Sequence, residues 1–209
     1  MRALALTLAL ALAPGLARAH PHVFIDGGVD FLFDAEGRLD RLRVTWIYDP
    51  LTSLIMLEDL AIPANAPLDA AARARLAAYQ TEWIPGFDGD SYLRRDEASV
   101  RLSGPLAPDA TLRDGRAVIS FERRLAEPFH PEGETVVEMY DPTYFTAYLV
   151  TEAPRLEGAP AGCAAQVEGF TPTGPLMALQ QSLSALGTDE DPEDAGVGAL
   201  FADKVRLTC

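Results

Sequence analysis

The chain has 209 residues, a formal net charge of −14 and a hydrophobic fraction of 48%. So acidic a surface repels phosphate backbones, which excludes nucleic acid as a partner. No apolar run reaches the roughly 20 residues that a membrane-spanning helix needs, so we expect no transmembrane segment in the mature chain.

The first 19 residues have the pattern of a cleaved signal peptide. Arg2 precedes an apolar run from Ala3 to Ala13, and Ala17-Arg18-Ala19 has the small-x-small form that signal peptidase cuts after. We therefore expect a signal peptide over residues 1–19 and a single periplasmic domain over 20–209. That domain has 15 basic and 31 acidic side chains and begins with His20.

The start of this domain is typical of a β-hairpin. Residues 22–33 are rich in aromatic and β-branched side chains, and residues 34–37 (Asp-Ala-Glu-Gly) predict a turn. Apolar and polar residues then alternate over 38–47. In an extended segment, His20 and His22 would point to the same side of the chain.

Two helices are predicted next. Asp49 is a natural N-cap and Pro50 a natural first helical residue for a helix that ends near Leu60. A second amphipathic helix is predicted from about Asp69 to Glu82, with Leu76 and Tyr79 among its inward candidates.

The remaining chain predicts mainly short strands. These lie at residues 92–93, 100–102, 111–112, 117–121, 134–140, 144–150 and 163–170, between Gly, Pro and Asp residues. A helix is predicted over 175–186, and a short helix followed by a strand over 197–209. The fold class is therefore α+β: one domain with a mostly antiparallel sheet and two or three packed helices.

Two cysteines, Cys163 and Cys209, are present and no CxxC pair occurs. In an exported chain this predicts one disulfide, which would anchor the carboxyl end. A thiolate metal site is the alternative, although two isolated thiols make a poor zinc set.

The sequence His20-Pro21-His22 suggests a metal site at the new amino end. Two of the three histidines lie there, and cleavage would add a free amine. Pro21 has no amide proton, which blocks the common terminal copper site that uses deprotonated amides. The amine and ring of His20, together with His22, remain as a brace that suits Ni, Co, Zn or Cu. Such ligands must lose protons, so affinity should fall below about pH 6. The competing interpretation is a frayed terminus whose histidines bind nothing.

Asp49 and Asp141 are the carboxylates that would join these histidines. Both follow a strand and lie in a Tyr-Asp-Pro segment, residues 48–50 and 140–142. Asp-Pro is also ordinary cap or turn chemistry, and that alternative stays open. His130, in a Pro-rich loop, is expected to be exposed, and the acidic loop Asp189 to Asp194 to be solvated.

No sequence motif of a hydrolase, zinc protease or nucleotide-binding enzyme is present, so we expect no catalytic residues.

The motifs resemble those of a bacterial family of unknown function, labelled the periplasmic component of an uncharacterised ABC-type transport system. The resemblance rests on His20 to Asp26, on Asp141-Pro142-Thr143-Tyr144-Phe145 and on the closing stretch from Phe201 to Cys209. It implies an association with nickel/cobalt-type membrane transporters.

Together these features predict a periplasmic transition-metal-binding accessory protein that works with a membrane metal transporter. The predicted ligands are His20, His22, Asp49 and Asp141. The alternatives are a metalloenzyme that uses the terminal histidine brace and a metal-free module that docks on a transporter.

Overall fold

Strands β1 (Val23–Phe33) and β2 (Leu39–Tyr48) form the predicted antiparallel hairpin. The computed structural model describes residues 20–187 and 190–209, so the predicted signal peptide lies outside the described residues. The turn between the strands is held by Asp34, whose carboxylate accepts hydrogen bonds from the backbone N–H groups of Glu36 and Arg38.

The hairpin lies in the middle of the first of two sheets. The strands of this first sheet run in the order β5-β6-β2-β1-β8, and β9 also pairs with β1. Its other strands are β5 (Leu106–Arg113), β6 (Arg116–Phe129), β8 (Thr146–Val150) and β9 (Leu156–Glu157). Strands β8 and β9 run parallel to β1, and the other pairings in the sheet are antiparallel.

The second sheet is antiparallel throughout, with the order β10-β11-β7-β3-β4. Its strands are β3 (Ser91–Arg95), β4 (Ala98–Val100), β7 (Thr135–Met139), β10 (Ala164–Glu168) and β11 (Asp203–Thr208). The two sheets pack closely, because a Cβ atom on Gly27 of β1 would lie 2.9 Å from the terminal methyl of Met139 on β7.

One hydrophobic core joins the two sheets and two helices. Side chains of the first sheet (Val29, Val44) and of the second (Val137, Val205) share it and are fully buried. The helices α1 (Pro50–Asp59) and α2 (Ala70–Thr81) pack on β6, and α2 also packs on β5. The predicted α+β class and single domain are confirmed, with two sheets rather than one.

The two helices begin as predicted, but parts of their apolar faces lie outside the core. Leu76 is fully buried, whereas Tyr79 is 48% exposed and donates a hydrogen bond from its hydroxyl to Asp59. The inward prediction for Tyr79 was therefore wrong, because its hydroxyl finds a surface carboxylate. On α1 the side chains of Leu51, Leu54 and Ile55 are at least half exposed.

A smaller hydrophobic cluster forms under the last helix, α3 (Gly174–Leu183). Its buried members are Tyr144, Leu183, Val197 and Phe201, the last two from a 3-10 helix at Val197–Phe201. This cluster fixes α3 and the 3-10 helix against the segment that leads into β8.

The predicted disulfide joins Cys163 and Cys209. Ala164 pairs with Thr208 in the β10–β11 ladder, so the two cysteines are direct neighbours at its end. Within the described residues, no helix is long and apolar enough to cross a membrane.

Candidate functional site

The imidazole rings of His20 and His22 meet at the amino end of β1. Their centroids are 4.7 Å apart with the planes at 75°, although the His20–Pro21 peptide is cis rather than extended. Phe145 packs on both rings, at centroid distances of 5.9 Å from His20 and 4.9 Å from His22. The predicted proximity of the two imidazoles is therefore present in the folded chain.

This segment is anchored by backbone hydrogen bonds. The N–H groups of His22 and Val23 donate to the carbonyl oxygen of Phe145, at 2.8 and 3.3 Å. The parallel ladder then begins immediately, with Val23 opposite Thr146. The alternative of a frayed terminus does not fit a segment tied down in this way.

Each histidine has one buried ring nitrogen without a hydrogen-bond partner: Nδ1 of His20 and Nε2 of His22. Such atoms are uncommon, because a buried polar group that loses water without gaining a partner costs free energy. A neutral imidazole has one nitrogen lone pair, which can coordinate a metal ion. The two unpartnered nitrogens are therefore candidate metal ligands.

The surroundings of His20 favour its neutral form. Burial lowers the pKa of the His20 imidazole below its usual range, and the adjacent His22 lowers it further. The charges of Asp141 and Asp191 act in the opposite direction and offset these two effects only in part. The neutral form is the one that can bind a metal ion.

Asp141 builds the turn that leads into β8. Its Oδ1 accepts hydrogen bonds from the N–H (2.8 Å) and hydroxyl (2.9 Å) of Thr143, and its Oδ2 accepts from the Thr146 N–H at 2.9 Å. An ionised carboxylate has about four acceptor positions. Asp141 therefore retains one acceptor position, on Oδ2.

Asp49 is the N-cap of α1, as the alternative interpretation of Asp-Pro predicted. Its Oδ1 accepts from the N–H groups of Leu51 and Thr52, and its Oδ2 from the Thr52 hydroxyl and the Phe24 N–H. Burial disfavours its charge, but these hydrogen bonds outweigh burial and lower its pKa. All four acceptor positions are occupied by protein donors, so Asp49 is the least available of the four predicted ligands.

His130 is exposed beyond the carboxyl end of β6. The sheet register aligns Phe129 with Leu39, and Leu39 with Phe33 at the far end of β1 from His22. Because β1 has 11 residues, this puts His130 roughly 30 Å from the histidine pair. It does not join the candidate site.

Two neighbours of the site were missed by sequence reasoning. The charge of Asp191, in the acidic loop expected only to be solvated, acts on His20. Helix α3 supplies the other neighbour, because an open cavity of about 660 Å³ lies between it and His20. Met177 on α3 lines that cavity and offers a thioether sulfur. Phe145, by contrast, could have been found from the Asp-Pro-Thr-Tyr-Phe motif.

In the described ranges, 20–187 and 190–209, no group of three or more His, Cys, Asp or Glu side chains is arranged to hold a metal ion. The described side chains therefore supply the two imidazoles, and Asp141 does not form a ready-made group of three ligands with them. A complete coordination shell needs donors of another kind, such as an amine.

These features define the chain as a two-sheet α+β protein with the rings of a buried His20 and a half-buried His22 in contact at the start of β1. The model of a family described as "Protein of unknown function (DUF1007)" matches residues 5–209. The chain belongs to this family. No curated protein matches it in sequence.

Proposed function

We propose that the mature protein binds a divalent transition metal ion at its amino end and serves a membrane metal transporter in the periplasm. The observation that carries the proposal is the pair of buried, unpartnered imidazole nitrogens on His20 and His22. Nitrogen donors of this type suit nickel, cobalt, zinc and copper.

Signal-peptide cleavage after Ala19 would complete the site. It would free the α-amine of His20, a third nitrogen that can chelate the same ion as the His20 ring. Asp141, which keeps one acceptor position on Oδ2, is the proposed fourth ligand. It would have to move toward the histidines when the ion binds, because the three side chains are not already arranged to hold a metal ion. Such a set satisfies an ion with four ligands without using Asp49.

The periplasmic setting is supported by the disulfide between Cys163 and Cys209. Disulfides persist in oxidising compartments and are rare in the cytosol. The transporter partnership rests on the family resemblance. It would explain why the metal site lies at the chain end, because an ion bound reversibly there can be passed to the transporter.

The test has two parts, of which the first is the intact mass of the exported protein under native conditions. We expect a chain that begins at His20, has its disulfide formed and binds one metal ion. A mature chain that begins elsewhere would contradict the brace.

The second part is calorimetric titration of the processed protein with Ni²⁺, Zn²⁺, Co²⁺ and Cu²⁺. We expect a dissociation constant of about 1 μM or below for at least one ion, weakened at least 100-fold in His20→Ala and His22→Ala. His130→Ala is the matched control, because His130 is an exposed histidine outside the site. Equal losses in all three variants, or no binding of any ion, would refute the proposal.

Two further outcomes would redirect the assignment. Turnover of a substrate by a bound redox-active metal would favour the metalloenzyme with a histidine brace. Undiminished binding to the transporter in the presence of a chelator would favour the metal-free docking module.

A further inference from the structure

A second concave site of about 500 Å³ opens between the loop that precedes β3 and the turn that follows β7. We call it the aromatic cleft. Five aromatic rings line it: Trp46, Tyr48, Phe87, Tyr92 and Tyr148. Three carboxylates, Asp88, Asp90 and Asp141, share the lining. Among the described residues, no lysine, arginine or histidine lines this cleft.

Asp90 is the carboxylate at the base of the cleft. Its residue is only 6% exposed, and the hydroxyl of Tyr148 donates a 2.7 Å hydrogen bond to its Oδ2. None of the ion pairs in the described part of the chain includes Asp90. A buried carboxylate without a cation is costly, because it loses water and gains no opposite charge.

The nearby Arg123 forms no ion pair with Asp90, although its charge acts to lower the pKa of that carboxyl. Its guanidinium is buried and donates hydrogen bonds to the carbonyl oxygens of Ser103, Asp88 and Ser91. Arg123 therefore supports the loop that precedes β3 while leaving Asp90 without an ion-pair partner. Burial accordingly raises the pKa of Asp90 to about 7, and a positive charge in the cleft would lower it.

Trp46 gives an independent indication of a ligand. This residue is 2% exposed, and its indole Nε1–H has no hydrogen-bond acceptor. The indole nitrogen can only donate, so it requires an acceptor atom. The hydroxyl of Tyr48 already donates to Gln80 at 2.6 Å, so it can offer an occupant an acceptor oxygen and the aromatic ring but no donor.

Aromatic faces attract cations through their ring quadrupoles, by about 2 kcal/mol or more where water is excluded. Tyr140 stacks on one face of Tyr92 at a centroid distance of 4.2 Å, so the opposite face is left for the cleft. Aromatic walls around a buried carboxylate are complementary to an ammonium group and not to an anion.

We propose that the aromatic cleft binds a small organic ammonium ion that also carries an oxygen acceptor. Asp90 is its counter-ion, the surrounding rings are its cation–π partners and the Trp46 N–H donates to its oxygen. This site differs from the proposed metal site, because the ligand is organic and neither histidine lines the cleft, although Asp141 borders both sites.

The test titrates the mature protein with choline and with ethanolamine in EDTA, by calorimetry and by tryptophan fluorescence. At least one of the two should bind with a dissociation constant below about 1 mM. The neutral isostere of choline, 3,3-dimethylbutan-1-ol, should bind at least 10-fold more weakly, because it lacks the charge. Failure of both amines to bind overturns the proposal, and so does equal binding of the isostere.

Asp90→Asn is the decisive variant. The backbone of Asp90 has a φ of 47°, which asparagine tolerates, and an amide oxygen can still accept from Tyr148. Binding of the amine should weaken at least 10-fold. Asp114→Asn, which removes one exposed charge from the turn before β6, should leave it unchanged. Equal affinity in Asp90→Asn and the unmodified protein would also overturn the proposal. So would binding of an uncharged sugar, glucose, by a protein that binds neither amine.

Discussion

The backbone N–H of Gly198 donates a 3.0 Å hydrogen bond to the carbonyl oxygen of Pro142. The contact is so close that a Cβ atom on Gly198 would overlap the carbonyl oxygen of Asp141. The 3-10 helix near the carboxyl end therefore packs directly on the Asp141 turn, which leads through Phe145 into β8.

We accordingly expect Gly198→Ala to disrupt both stability and metal binding. Moving the Asp141 turn should cost about 3 kcal/mol or more in free energy of unfolding, because backbone must shift to make room. Denaturant unfolding measures the first effect and metal titration the second. Gly196→Ala is the matched control: its Cβ would lie 3.4 Å from an oxygen of the exposed Asp194 side chain, which can move. If Gly198→Ala unfolds like the control, the described packing is wrong.

Replacement of Asp49 should affect stability rather than metal affinity. Asp49→Ala removes the N-cap of α1 and its link to Phe24, so we expect a loss of about 1–2 kcal/mol in urea unfolding. Asp49→Asn keeps an acceptor oxygen and should recover most of this loss. A stable Asp49→Ala protein that no longer binds metal would instead return Asp49 to the ligand set.

The buried carboxyl of Asp90 should make stability depend on pH. Its pKa is about 7 in the folded chain against a reference value of 3.8, raised chiefly by burial. The folded state therefore binds the proton of the Asp90 carboxyl more tightly than the unfolded state does. Protonation of Asp90 stabilises the fold, and this stabilisation is complete below pH 4. The effect is lost as the pH rises through 7, by about 4 kcal/mol in total.

Asp90→Asn removes this titration. Relative to the unmodified protein, the variant should gain stability steadily between pH 4 and pH 8, as measured by unfolding at several pH values. The free energy of unfolding of Asp114→Asn should change with pH in the same way as that of the unmodified protein over this range. A constant offset for Asp90→Asn would mean that Asp90 is ionised throughout.

Removal of the disulfide should weaken the carboxyl end. Cys163 and Cys209 are 46 residues apart, and opening a loop of this size costs about 3–4 kcal/mol in the chain-entropy account. The Cys163→Ser, Cys209→Ser double variant should lose this amount in unfolding experiments, and reduction of the unmodified protein should reproduce the loss. No change in either experiment would show that the β10–β11 ladder holds without the bond.

Sequence patterns correctly predicted the elements that depend on interactions between residues close together in the chain. Alternating residues gave the β1–β2 hairpin, and Asp49-Pro50 gave the start of α1. The Tyr-Asp-Pro segments at residues 48–50 and 140–142 also play similar structural roles. In both segments the Asp carboxylate accepts backbone N–H groups just beyond a strand, one for a helix cap and one for a turn.

Contacts between distant segments were beyond such reasoning. Gly89-Asp90 reads as an ordinary turn, and the Asp90 carboxyl becomes buried only when Tyr148 of β8 is brought against it. The exposure of Leu54 and Ile55 also depends on which face of α1 meets the core. Helical spacing alone does not decide this, because the buried face includes Ser53, whose hydroxyl bonds to the backbone of Ala117.

The parallel pairing of β1 with β8 has a consequence for the order of events during synthesis. Val23 meets Thr146, so the first strand to leave the ribosome stays without its second neighbour until more than 120 further residues have been made. Contacts of such sequence separation form late in folding, because a long loop must first be closed. Under the proposed function, an ion that needs the histidine pair in place can be captured only once residue 146 has been made, and a chain that ends before β8 would not compete for it.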